Sequence, residues 1–152
     1  MTRLSEIILD TDEDRGLSPI AEQERRTAIF DLLEENSFVP VSGTRGPFKL
    51  VLKQDASRLL FDLSTRRSQE EFYITLGTLR QIVKDYEQIC ASYYEAVKSE
   101  APTTIETLDE ARRGIHQEGA STLKSKLQDH VDVDEATARR LFTLVCAMIA
   151  DK

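Results

Sequence analysis

The strongest constraint in this chain is a helical apolar stripe broken by three residues that do not belong in one. The segment Thr103 to Gln128 reads as one long helix. Wound at about 100° per residue, it places Ile105, Leu108, Ile115, Leu123 and Leu127 on one side, with Arg112, His116 and Gly119 inside the same arc. A guanidinium taken out of water without a partner is costly, so Arg112 is expected to meet a carboxylate, a carbonyl, a bound anion or water. Breaks of pattern are enriched at functional sites. This one names no reaction by itself.

The rest of the pattern predicts a single α+β domain over residues 1–152, with elements in the order β-α-β-β-β-α-α-α. A chain of this length buries enough surface to fold without disulfides. Ser5 to Asp10 reads as a strand. Ser18 and Pro19 supply an N-cap and a proline at the first helical position, and Asn36 a left-handed stop, for a helix whose apolar arc is Ile29, Phe30 and Leu33. Glu22 and Arg26 have the spacing of an ion pair. Three runs then alternate with period two: Phe48-Leu50-Leu52, Leu59-Phe61-Leu63 and Phe72-Ile74-Leu76. They predict an antiparallel meander with one face covered by helices. Thr78 to Ser99 carries the stripe Leu79, Ile82, Val83, Tyr86, Ile89, Cys90, Tyr93 and Val97. Pro102 ends it, and Thr103 with Glu106 forms a capping box for the long helix. Asp132 or Asp134 caps the last helix, whose apolar face is Ala138, Leu141, Phe142, Val145, Met148 and Ile149.

Several functional classes are disfavoured. A net charge of −7 argues against general nucleic-acid binding, which needs cations to neutralise phosphates. No stretch approaches the length of a membrane span, and the acid-bearing start Met1-Thr2-Arg3-Leu4-Ser5-Glu6 is not a secretory signal. Cys90 and Cys146 sit on apolar helix faces and read as reduced thiols, so the expected location is cytoplasmic. No metal is expected, because His116, His130 and two buried thiols do not make a zinc set. Asp10, Asp12 and Asp14 match the first ligands of a calcium loop, but Arg15 stands where glycine is needed and Ala21 where glutamate is needed. No nucleophile motif, phosphate-cradling glycine loop or dinucleotide fingerprint occurs, so no cofactor is expected.

Four blocks carry a resemblance: Ala28-Ile29-Phe30-Asp31-Leu32-Leu33-Glu34-Glu35-Asn36-Ser37-Phe38; Ile82-Val83-Lys84-Asp85-Tyr86 followed by Ile89-Cys90 and Ser92-Tyr93-Tyr94-Glu95-Ala96; Arg112-Arg113-Gly114, His116 and Glu118-Gly119; and Thr137-Ala138-Arg139-Arg140-Leu141-Phe142-Thr143-Leu144 with Cys146. In these the chain resembles a family of small bacterial proteins known only as an uncharacterised protein family, number two-six-two of that series. The resemblance implies a bacterial cytoplasmic protein and brings no activity with it.

Two functions compete. The leading expectation is a non-enzymatic adaptor or regulatory protein that binds another protein through Tyr94, Arg113, Arg139 and Arg140. The alternative is a binder of small anions or nucleotide phosphates, with or without a reaction, in which Arg112 and Arg113 clamp the anion and His116 transfers a proton. The structural reading of the same residues is an ion pair between Arg112 and an acid on a neighbouring helix, with Gly119 allowing close helix approach. Arg112 satisfied internally, beside an exposed apolar or basic patch, favours the adaptor; Arg112 without a protein carboxylate and open to a cavity favours the anion.

Overall fold

A computed structural model of the chain describes residues 3–10 and 18–149. The elements run β1 (Leu4–Asp10), α1 (Pro19–Glu34), β2 (Phe38–Pro40), β3 (Phe48–Asp55), β4 (Arg58–Ser64), β5 (Gln69–Thr75), α2 (Thr78–Ser99), α3 (Pro102–Leu127), β6 (Val131–Val133) and α4 (Glu135–Ile149). The α+β class expected from the pattern is what forms. Two short strands, β2 and β6, add to the expected order and pair antiparallel with each other as a separate two-stranded sheet. Three residues are too few to show a period, which is why they read as loop.

The main sheet has the order β1-β3-β4-β5. The meander β3-β4-β5 is antiparallel as expected, with Leu50 opposite Leu63, Leu52 opposite Phe61, and Phe61 opposite Phe72. The sheet as a whole is mixed, because β1 joins it parallel to β3. The crossover through α1 permits this pairing, since parallel neighbours need a long connection. On the covered face Phe48, Leu50, Leu52, Leu59, Phe61, Leu63 and Ile74 are buried and join Leu32, Leu79, Val83, Leu123, Leu141 and Phe142 in one core. The rings of Phe61 and Phe72 stack at 4.9 Å, and His130 continues the stack on Phe72 at 4.5 Å, tying the turn after α3 to the sheet.

Several helix details differ from the sequence reading. In α1 the buried positions are Ala28 and Leu32, with Ile29 and Leu33 at the margin, and Phe30 is 63% exposed. Phe30 lies about 200° around from Ala28, so both cannot face the core. In α2 the stripe ends early: Ala96 is buried and Val97 exposed. The N-cap of α3 is Ala101, with Pro102 in the first turn and no side-chain cap, so Thr103 and Glu106 form no capping box. Asp134 caps α4, accepting from the Thr137 amide at 2.8 Å. Ser18 caps α1 as expected, accepting from the Ala21 amide at 3.1 Å, and Glu22 pairs with Arg25 as well as Arg26. The acidic loop over residues 11–17 lies outside the described residues.

Asn36 is not a left-handed stop. Ala56 is the only non-glycine with positive φ among the described residues. The Asn36 carboxamide instead accepts from the Leu4 amide at 2.8 Å and donates to the Leu4 carbonyl at 3.1 Å and to the Leu32 carbonyl at 2.6 Å. One side chain thus satisfies an orphan carbonyl of α1 and both backbone groups of one β1 residue.

Gly119 admits a close approach of α4 to α3. A Cβ built on it would lie 2.2 Å from the ring of Phe142, which is fully buried. Replacing Gly119→Ala should therefore destabilise the fold despite alanine's better helix propensity. The net loss should be about 1–2 kcal/mol, seen as a fall of several degrees in Tm. Asn36→Ala should cost about 1–3 kcal/mol in urea unfolding, because it leaves Leu4 and Leu32 groups unpaired. An unchanged midpoint in either variant would contradict the packing described.

Candidate functional site

All four helices contribute to one cavity of about 420 Å³. Glu24 comes from α1, Tyr86 from α2, Arg112, Arg113, His116 and Gln117 from α3, and Arg139 and Thr143 from α4. An adjoining space of about 310 Å³ shares Glu24, His116, Arg139 and Thr143 and extends to Asp31 and Arg140. The helical repeat explains the convergence. Arg112 and His116 are one turn apart on α3, and Arg139 and Thr143 are one turn apart on α4. Where α3 crosses α4, the two pairs face the same space.

Arg112 is ion-paired and lines the cavity at once. Its guanidinium meets Asp109, one turn back on its own helix, at 2.5 Å, and lies over the Tyr93 ring at 4.8 Å. The ion pair expected with an acid on a neighbouring helix does not form among the described residues; Glu24 of α1 meets Arg112 only through its charge across the cavity. Burial opposes the charge of Arg112, but hydrogen bonds with Asp109 and Tyr86 hold its pKa above the usual arginine value. Its Nε is buried without a hydrogen-bond partner. Arg113 shares the other Asp109 oxygen at 3.2 Å and is largely exposed. Arg139 has no ion-pair partner among the described residues. Positive charge on this wall exceeds the carboxylate that answers it.

The rest of the lining is polar and includes one carboxylate, Glu24. The Tyr86 hydroxyl donates to Glu24 at 3.4 Å. Burial raises the Glu24 carboxyl above the usual range, against the opposing pull of Arg112. The Thr143 hydroxyl donates to the Arg139 carbonyl at 3.4 Å, which leaves its oxygen to accept from Nε2–H of His116 at 2.9 Å. Nδ1 of His116 is then the ring's remaining acceptor. The imidazole packs edge-on against Tyr86 at 5.1 Å and Phe142 at 5.1 Å. Burial, and then the charges of Arg112 and Arg139, push its pKa down to about 4. At neutral pH the site presents an uncharged imidazole between two guanidiniums.

Of the residues singled out from the sequence, Arg112, Arg113 and His116 share the cavity, and Arg139 joins them. Arg140 stands at the adjoining space and donates to the Glu35 carbonyl at 3.3 Å. Tyr94 is half-buried against the Tyr93 ring at 5.3 Å and is not among the cavity-lining residues. Sequence reasoning missed Glu24 and Thr143 as lining residues. Glu24 sits among Glu22, Arg25 and Arg26 on a charged helix, where nothing separates it from a solvated face. Cys90 and Cys146 are both free, and burial lifts the Cys90 thiol to about 11. No group of histidine, cysteine or carboxylate side chains among the described residues is placed to hold a metal ion. No helix among them is long and apolar enough to cross a membrane.

An α+β fold with an arginine-lined cavity where four helices meet defines the class of this protein. The chain belongs to the Uncharacterised protein family (UPF0262), whose model matches residues 1–151. It is 51% identical to a UPF0262 protein of Cereibacter sphaeroides over 92% of this chain and 94% of that one. It is 49% identical to one of Roseobacter denitrificans over 97% and 98% of the two chains. With one of Hyphomonas neptunium it shares 46% identity over 97% and 93%. No solved structure matches.

The state of His116 makes a pH prediction. Its folded value lies below the ordinary one of 6.5, so as pH falls the unfolded chain takes the extra proton first. Stability from this group is complete above about pH 6.5 and declines toward about pH 4, by a few kcal/mol at most. His116→Gln should flatten that part of the stability profile in urea titrations from pH 7 to 4. An unaltered slope would assign the acid sensitivity to another group.

Proposed function

We propose that this protein binds a small anion in the four-helix cavity, and that it works in the cytoplasm. The observation that carries the reading is the convergence of Arg112, Arg113 and Arg139 on one cavity while a single ion-pairing carboxylate, Asp109, answers the first two. Guanidinium forks from two helices offer paired donors to an oxyanion. His116, Thr143, Gln117 and Tyr86 add uncharged donors and acceptors around it. The volume falls in the range of pockets that enclose small organic ligands. The free thiols Cys90 and Cys146 suit a reducing compartment.

The adaptor reading rests on Tyr94, Arg113, Arg139 and Arg140. Two of these four line the cavity, and Tyr94 packs on Tyr93. The small anion accounts for more of the arrangement, and we place it first.

A thermal-shift screen with phosphate, nucleotides and phosphorylated metabolites tests it. A ligand at a hundred times its Kd adds about 2.7 kcal/mol. Arg139→Gln should abolish the shift and leave the free protein within about 0.5 kcal/mol of wild type, because that side chain is exposed and has no ion-pair partner among the described residues. Arg112→Met should also abolish it, at a stability cost of about 1 kcal/mol or less. No shift across the panel, or shifts that survive both substitutions, would overturn the pocket and return the adaptor to first place.

A further inference from the structure

The cavity reading, on which this inference rests, leaves open which anion fits and what His116 does when it arrives. The geometry points to a phosphate monoester bound as its dianion, with one proton taken from solvent onto Nδ1 of His116 as it binds.

The argument for the dianion is spatial. Arg112 and Arg113 approach from α3 and Arg139 from α4, so donors arrive from two helices. A carboxylate has two oxygens in one plane and answers one such fork. A phosphoryl group carries three oxygens that point apart and can meet forks from different directions. The space of about 420 Å³ is larger than the phosphoryl group alone requires, and the Tyr86–Glu24 wall offers polar contacts to an attached organic part.

The argument for the proton concerns what surrounds the imidazole. Facing it are Glu24 and Asp31 from α1, Tyr86 from α2, Arg112 and Arg113 from its own helix, and Arg139 and Arg140 from α4. With the cavity empty, two guanidiniums repel any second proton on the ring, and burial adds to this. A dianion seated between Arg112 and Arg139 reverses the sign of the local field. It also offers an oxygen to an Nδ1–H donor. Nε2–H is already engaged with Thr143, so the ring need not turn to make the second bond. Anion and proton then favour each other reciprocally, as linkage requires. Glu24 titrates in the same cavity and would move affinity in the same direction, so the imidazole must be read directly.

Sulfate is the probe, because it is a dianion throughout the range and exchanges no protons of its own. Imidazole nitrogens are followed by NMR from pH 8 to 4 on the full chain with and without saturating sulfate. The chain has two histidines, and His130, stacked on Phe72 away from this cavity, is the internal reference. The expected result is a rise of His116's titration midpoint by at least one pH unit, His130 unmoved, and sulfate affinity increasing up to tenfold per pH unit below neutrality. His116→Gln should still bind sulfate, with that pH dependence reduced. Methyl phosphate should stabilise the protein more than the monoanionic dimethyl phosphate. Sulfate binding with an unmoved His116, or equal stabilisation by the two esters, would overturn this inference and leave the anion cavity standing. No binding of sulfate or either ester at any pH would overturn both.

Discussion

The arrangement depends on the contact between Gly119 and Phe142. A Cβ at position 119 would sit 2.2 Å from the ring, so only glycine lets α3 and α4 close to this distance. That closure brings His116 of α3 to Thr143 of α4. The same ring carries the edges of Tyr86 and His116, at 6.0 Å and 5.1 Å. Phe142 therefore forms an apolar floor under residues of two other helices, Tyr86 of α2 and His116 of α3. A looser crossing would separate the Arg112–His116 pair from the Arg139–Thr143 pair, and no shared cavity would remain.

The electrostatics follow from that floor. The apolar ring removes water from one side of His116 and disfavours its charged form. Arg112 retains its charge because Asp109 is one turn away and Tyr86 is within reach. The result is a neutral base between fixed cations, with the half-buried Glu24 carboxyl shifted upward across the cavity. For His116 burial and neighbouring charge act together, whereas for Glu24 burial acts against the charge of Arg112.

Much of this was readable from residue order, and the failures have physical causes. The meander was clear because Phe48 to Leu76 alternates with period two on a half-covered sheet. The parallel β1 was not, since Ile7, Ile8 and Leu9 carry no alternation and partner choice is set by the α1 crossover. Arg112, Arg113 and His116 stood out because they break or flank a helical stripe. Glu24 and Thr143 did not, because each looks ordinary on its own helix and acquires meaning only where four helices meet. The stripe reading of α1 failed at Phe30, where a large apolar side chain is 63% exposed while the smaller Ala28 packs inward.

Asn36 has a consequence of a different kind. β1 forms one border of the main sheet, and a border strand presents bare amide and carbonyl groups that another chain can pair with. At Leu4 both groups are already taken by the Asn36 carboxamide, which imitates a neighbouring strand for the length of one residue. Here an amide side chain guards the border against self-association at the end where β1 begins. A residue that lies in no strand thus occupies, at that end, the two groups an incoming strand would pair with.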